Sequence, residues 1–383
     1  MRKLFGSPLN INKSIVGKVT HKPIKRLKRH DFILISDEQK IDPGYSAIIT
    51  NSSVPNLKIP LLYNVKDLEQ LRDGDIVLLD PDGAINVLYE KGSFDNSLMI
   101  TERCNCSCIM CPQPPIATED DKTPFNLKLI SLMDRNTPSL GLTGGEPTLL
   151  GNNLVDMIHA CKKILPKTKL NLLTNGIRFE DLGYVKKIAM VQHPNLFIDI
   201  PLYADTDTEH NNIIRAKGFY KTIKGLYNLI LFKQRIGIRI VIMKINYLRL
   251  PYLSEFIYHN FPFVFHIAFM QMETVGLAKD NIKNLWIDPF DYNEQLEKSV
   301  TYLAQRDMNV SIYNAQLCVL PKTLWKYARK SISSWKNIYL DECNTCGYRE
   351  ECGGLFVSSL DKHSKCIKPL KKQSERRKKE ESA

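Results

Sequence analysis

No stretch of about 18 consecutive apolar residues occurs in this 383-residue chain, so its sequence encodes no membrane-spanning helix. The basic start is not followed by an apolar core and a small-residue cleavage site, which argues against a secretory leader. Acidic residues are missing altogether from positions 1–30, where nine Lys or Arg stand. Positions 368–383 carry seven bases against three acids, so the two ends account for the whole net charge of +12 and the rest is close to neutral. Charge confined to the ends reads first as solvated arms, and nucleic acid is not the expected partner. Residues 1–30 are therefore expected as a flexible basic lead-in and 368–383 as a disordered basic tail. A disulfide scaffold is absent as well: the ten cysteines gather mostly in two short, metal-like groups within a large chain. A reducing compartment, the cytoplasm, is expected.

What is present begins with a hydrophobic content of 43%, enough for two or three domains with proper cores. Residues 99–115, MITERCNCSCIMCPQPP, place Cys104, Cys108 and Cys111 in a Cys-x3-Cys-x2-Cys run just after an apolar strand candidate. Three thiolates so close together can hold one face of an iron-sulfur cube. A cube has four irons, so one is left open to a small molecule, as catalytic metal sites keep a position free. A structural zinc site is the alternative reading of such spacing. Cys106, inside the run, is read as a bystander.

This loop, with Met110 and Pro112 beside the last thiolate, resembles the signature of the radical S-adenosylmethionine enzymes. The resemblance implies a catalytic 4Fe-4S cluster whose open iron chelates the amino and carboxylate groups of S-adenosylmethionine. It also implies an external electron donor and a partial (β/α)6 barrel. The chain pattern agrees: from 96 to about 284, strand candidates at 97–101, 140–144, 170–175, 196–202, 239–244 and 265–271 alternate with amphipathic helix candidates such as 153–165 and 220–234.

In parallel α/β sheets ligands gather at the carboxyl ends of strands. The second strand ends in Gly144, Gly145, Glu146 and Pro147, where glycines allow close backbone approach and the carboxylate can accept from an ammonium. By resemblance this segment contacts the amino group of S-adenosylmethionine. The third strand ends in Thr174 and Asn175, small polar residues able to face the cofactor or simply to form a turn. Asp199 and Tyr203 close the fourth, with His210 beyond, Lys244 and Asn246 follow the fifth, and Gln271, Glu273 and Gly276 the sixth. Gly276 is placed against the adenine by resemblance only. No side chain is assigned an acid–base role, and the catalytic residues are left unknown.

Flanking the core, residues 31–95 show short β-branched runs and turn chemistry at 42–44 and 80–83, a small β-rich domain. It reads equally as a packing module or as a docking surface for a peptide. Residues 285–317 read as linker and helix. A second group, Cys343, Cys346 and Cys352, lies in the turn-rich 318–367 region, with Cys318 upstream and Cys366 downstream as rival fourth ligands. The group resembles the SPASM or twitch modules of peptide-modifying radical enzymes. A full SPASM module has another Cys where this sequence has Phe356, so one auxiliary 4Fe-4S cluster is expected, with zinc as the alternative.

The fold class expected is thus α/β: a partial (β/α)6 barrel, a small N-terminal β-rich domain and a C-terminal cysteine-rich module. The loop at 101–115, the segment LCVLPKTLW at 317–325 and IKPL at 367–370 resemble most the maturases of the His-Xaa-Ser system. That resemblance implies a substrate peptide or small protein and a second radical maturase as partners. Rival functions are a radical enzyme acting on RNA and a non-enzymatic zinc-binding adaptor.

Overall fold

The computed structural model describes residues 3–38, 41–52, 59–117, 121–331, 333 and 336–372. Two eight-stranded sheets organise it. The first contains β1 (Lys3–Phe5), β2 (Ser7–Leu9), β3 (Ile15–Thr20), β4 (Phe32–Ile35), β5 (Ala47–Ile49), β6 (Leu61–Tyr63), β7 (Ile76–Leu79) and β8 (Ala84–Tyr89), in the order β1-β8-β7-β3-β4-β5-β6-β2. β1 pairs with β8 and β2 with β6, so a single bend at Gly6 carries the chain from one edge of the sheet to the other. This joins the two edges and shields them from stray pairing. Leu4, Val19, Ile33, Ile49, Leu62, Val77 and Ile85 fill its own core.

The expectation of a flexible lead-in over 1–30 is corrected here. β1 to β3 belong to the sheet, because Leu4, Ile15, Val16 and Val19 supply apolar positions that a count of lysines and arginines overlooks. Arg26–Asp31 form a 3-10 turn with no buried residue. Of the expected basic tail, residues 373–383 lie outside the described residues.

The second sheet is parallel throughout, in chain order: β9 (Ser97–Thr101), β10 (Ser139–Gly144), β11 (Lys169–Leu173), β12 (Leu196–Pro201), β13 (Arg235–Ile242), β14 (His266–Gln271), β15 (Val310–Tyr313) and β16 (Ala328–Arg329). Helices α1 (Thr123–Leu132), α2 (Asn152–Ile164), α3 (Leu182–Val191), α4 (Asp207–Ile214), α5 (Phe219–Leu231), α6 (Leu250–Asn260), α7 (Leu277–Asp280), α8 (Ile282–Leu285) and α9 (Asn293–Ala304) occupy the connections. Alternate strand residues point outward, Leu140 and Leu142, Ile198 and Ile200, Ile236, Ile238 and Ile240 among them, and meet helix residues such as Leu154, Met157, Ile158 and Cys161 of α2 in one core. Each fully buried Leu or Ile adds about 1.5–3 kcal/mol. The opposite strand residues, Thr143, Leu173, Pro201, Arg239, Val241 and Met270, are left to line an inner cavity.

Beyond the six expected strands, Val310–Tyr313 and Ala328–Arg329 extend the parallel sheet, so 285–317 is not only linker and helix. The VSIY strand is short, and its β-branched signal is weak beside the helical pattern that precedes it. The two sheets meet through buried and charged contacts. Tyr89 and Thr137 share a hydroxyl hydrogen bond of 2.8 Å, and Lys128 of α1 pairs with Asp31.

Candidate active site

The cysteine loop leaves the carboxyl end of β9 and is stitched to its surroundings by backbone. Ser107 and Ile109 donate N–H groups to the Ile214 and Ile213 carbonyls at the end of α4 (3.1 and 3.0 Å), and Leu277 N–H, at the start of α7, donates to the Cys111 carbonyl at 2.9 Å. Gly276, at φ +57°, lies on the loop backbone: a Cβ there would meet the carbonyl oxygens of Cys111 and Pro112 at 2.6 Å. Its lack of a side chain therefore serves packing against the cysteine loop.

Gly144 and Gly145 are forced by the same loop. A Cβ on Gly144 (φ +143°) would stand 2.1 Å from the Thr101 carbonyl oxygen, and one on Gly145 2.1 Å from that of Arg103. Gly145 and Glu146 N–H groups donate to those two carbonyls, each at 2.8 Å. Pro147 opens a 3-10 turn and is buried behind the wall.

Glu146 is only 1% exposed, and its carboxylate gathers the remaining strand end. Oε1 accepts from Thr148 N–H (2.9 Å), Thr148 Oγ1 (2.6 Å) and Thr174 Oγ1 (2.6 Å), while Oε2 accepts from Asn175 N–H (2.6 Å). Burial nonetheless pushes its pKa up, since removing a carboxylate from water outweighs these donors. The Asn175 side-chain amide continues the chain to Asn105 Oδ1 at 2.6 Å and to Cys106 Sγ at 3.5 Å.

Cys104, Cys106, Cys108 and Cys111 line an open cavity of about 1130 Å³, together with Gly144, Gly145, Glu146, Thr174 and Asn175. Cys111 is raised in pKa by burial, and Cys104 by its hydrogen bond with Cys106 and then by burial. Thiols held so close stay protonated unless a cation joins them.

Comparison with known proteins agrees with this geometry. Residues 95–218 match the family described as a 4Fe-4S single cluster domain. A GTP 3',8-cyclase of Streptomyces coelicolor is 28% identical over 142 residues, 33% of this chain and 37% of that protein. One of Petrotoga mobilis is 29% identical over 135 residues, 33% of this chain and 40% of that one. The chain thus spans well under half the length of these curated relatives. Native anSMEcpe with bound AdoMet and Kp18Cys peptide shares the fold at a TM-score of 0.51, with 14% identity over 72% of this chain and 92% of that chain. The cysteine loop thus lies in a stretch similar to 4Fe-4S single cluster domains, on a fold shared with an AdoMet-bound protein. The thiols that line the cavity suit a 4Fe-4S cluster of the kind that domain description names.

The rest of the cavity comes from elsewhere in the chain. Tyr203, Arg239, Gln271 and Glu273 line it from the barrel, and Asn314, Lys336 and Phe356 from the C-terminal part. Lys336 Nζ lies 5.8 Å from the Phe356 ring centroid. Burial pushes Glu273 up and Lys336 down, each opposed by the other's charge. Arg239 and Lys336 did not stand out in the sequence. Arg239 carried a faint signal, a cation on the inward register of an otherwise apolar strand, whereas Lys336 carried none. Asn246 is structural, its amide bridging Met243 N–H and the Tyr203 and Val241 carbonyls. His210 is buried against Tyr203 and Phe219 and is not a wall residue.

At the second group, Cys318, Cys343, Cys346 and Cys352 line one pocket of about 400 Å³ with Leu317, Ile338, Leu355, Ile367 and Leu370. Cys366 is not among its lining residues; its N–H turns to Ser364 Oγ (3.1 Å). Cys318 follows β15, the strand that sequence reasoning missed, which is why the sequence left the two candidates level. Cys346 Sγ accepts from Leu370 N–H (3.3 Å) and Cys352 Sγ from Leu317 N–H (3.4 Å). Among the described residues, no three His, Cys, Asp or Glu side chains stand at the spacing that would hold a single metal ion.

Proposed function

We propose that this chain is a radical maturase that modifies a ribosomally made peptide or small protein, with a His-Xaa-Ser repeat protein as the substrate class. The observation that carries this reading is the joint construction of the cavity. Phe356 and Lys336, from the part of the chain holding the second cysteine group, face the same space as Cys104, Cys108 and Cys111. A barrel closed in this way by a cysteine-rich module suits a chain-like substrate entering beside the cofactor.

When bound, the cluster and S-adenosylmethionine supply a 5'-deoxyadenosyl radical that takes hydrogen from an unactivated C–H bond. Cys104, Cys108 and Cys111 would hold the cluster, and the segment at Gly144 and Gly145 would present its backbone to the methionyl end of the cofactor. Glu146 fixes that segment to Thr174 and Asn175, so that the walls are set before a ligand arrives. Tyr203, Met270 and Met272 give the cavity apolar walls that limit water near a reactive carbon. Cys318, Cys343, Cys346 and Cys352 would hold one auxiliary 4Fe-4S cluster, whose contribution there would be to take up the leftover electron or to bind substrate.

A second reading rests on the relatives named GTP 3',8-cyclase and on two cations, Arg239 and Lys336, in the cavity. Both would suit an anionic nucleotide. Coexpression with a candidate repeat peptide, followed by mass spectrometry, separates the two: a mass change on the peptide supports maturation. An unchanged peptide, with 5'-deoxyadenosine release stimulated by GTP instead, would overturn it. Strongly salt-dependent RNA binding is the corresponding signature of an RNA substrate. A second radical maturase and an external electron donor are the partners this proposal includes.

A further inference from the structure

The cysteine loop holds four thiols, and the signature uses three. Cys106 is 4% exposed and faces the same cavity as the others. Its sulfur also accepts from the Asn175 side-chain amide at 3.5 Å. Three of the ligand-type cysteines likewise accept N–H groups at sulfur: Cys104 receives the Cys106 N–H at 3.4 Å, and Cys346 and Cys352 receive backbone N–H groups in the second pocket. Cys161, buried in the helix core, has no such donor among the described residues. By environment Cys106 therefore sorts with the ligands and not with the core cysteine.

Resting on the reading of this loop as a radical-enzyme cluster site, we propose that Cys106 occupies the fourth coordination position of the primary cluster while S-adenosylmethionine is absent, and gives it up when the cofactor binds. The exchange is a ligand substitution: one Fe–S bond to Cys106 breaks, bonds from iron to the amino nitrogen and carboxylate oxygen form, the proton that the cofactor's ammonium gives up passes to the freed thiolate, and no electron moves. Asn175 couples the two states. Its backbone N–H is held by Glu146, on the cofactor wall, and its side chain by Cys106 and Asn105, on the cluster loop. The resting cluster is thereby protected from loss of its labile iron.

The test uses the anaerobically reconstituted full chain and electron paramagnetic resonance. Without S-adenosylmethionine, wild type treated with limited ferricyanide should keep its primary cluster, whereas Cys106→Ala should show a several-fold larger [3Fe-4S] signal. Addition of S-adenosylmethionine should bring the two to the same level. Equal signals without cofactor would overturn the proposal. A second measurement needs no variant: imidazole added to reduced, cofactor-free wild type should leave the cluster spectrum unmoved, and a shift, marking an empty corner, overturns it. Release of 5'-deoxyadenosine by wild type is scored separately. Its absence would sink the radical reading, while its presence with an imidazole-sensitive cluster would sink only the role of Cys106.

Discussion

The two cysteine groups each gather four thiols and differ in the space left around them. Around the first, the cavity of about 1130 Å³ is walled by polar and charged groups, Glu146, Arg239, Glu273 and Lys336, and by the two glycines of a strand end. Around the second, a pocket of about 400 Å³ is filled out by Leu317, Ile338, Leu355, Ile367 and Leu370, with four thiols converging from either side of β16. A thiolate set with room and polar walls keeps a corner for exchange; a set enclosed by aliphatic side chains holds its ion or cluster closed. The same residue type is thus assigned to chemistry or to support by what packs around it.

The largest expected effect lies at the open site. Replacing Cys104, Cys108 or Cys111 by Ala should abolish 5'-deoxyadenosine release and remove about four irons per chain, one cube's worth. Full release by any of the three variants would erase the distinction between the sites. At the closed site, Cys318→Ala should lower the iron content by about four per chain, and Cys366→Ala should leave it unchanged. Iron analysis giving the reverse order would move the fourth ligand to Cys366 and open the pocket as drawn here.

This contrast also explains what was legible beforehand. The first loop could be read because its three thiols sit within eight residues and follow a strand, and the GGEP turn one unit later repeats the strand-end position. Six of the parallel strands announce themselves by apolar runs, and the fold class followed from their alternation with helices. The β-rich character of 31–95 was legible too, since Asp80, Pro81, Asp82 and Gly83 make a hairpin turn between β7 and β8. What escaped was carried by tertiary packing. Lys336 comes within reach of Glu273 only because the chain returns over the barrel mouth, and β1 and β3 were masked by the charges of Lys3 and Lys18. The purpose of Gly276 could be inferred only with Cys111 and Pro112 in place.

Smaller effects probe how the open site is braced. Glu146→Gln keeps the shape but sets an amide N–H2 against donors that the carboxylate now accepts, at Asn175 N–H or at Thr148 and Thr174. A buried donor left facing donors costs about 1–3 kcal/mol, to be read as a lower urea midpoint. Weaker S-adenosylmethionine binding by equilibrium dialysis should accompany it. An unchanged midpoint with intact binding would show that the wall does not depend on this carboxylate.

The last effect reports on the same wall from behind. His210 Nδ1 accepts the Tyr203 N–H at 3.3 Å, the ring stacks on Tyr203, and burial holds its pKa down at about 4 against an ordinary 6.5. The unfolded chain therefore takes up a proton on acidification before the native protein does. The stability His210 contributes is fully present above pH 6.5 and is lost as pH falls towards 4, by about 3 kcal/mol in all. His193 and His266 are depressed by burial in the same direction, so the slope of wild type alone does not isolate His210. The difference between wild type and His210→Phe does. Phe preserves the stacking and removes the titration, so the gap between their urea midpoints should shift in favour of the variant from pH 7 to about pH 4.5. A gap of constant size across that range would mean that the folded ring titrates as it does in the unfolded chain, and that burial does not depress it.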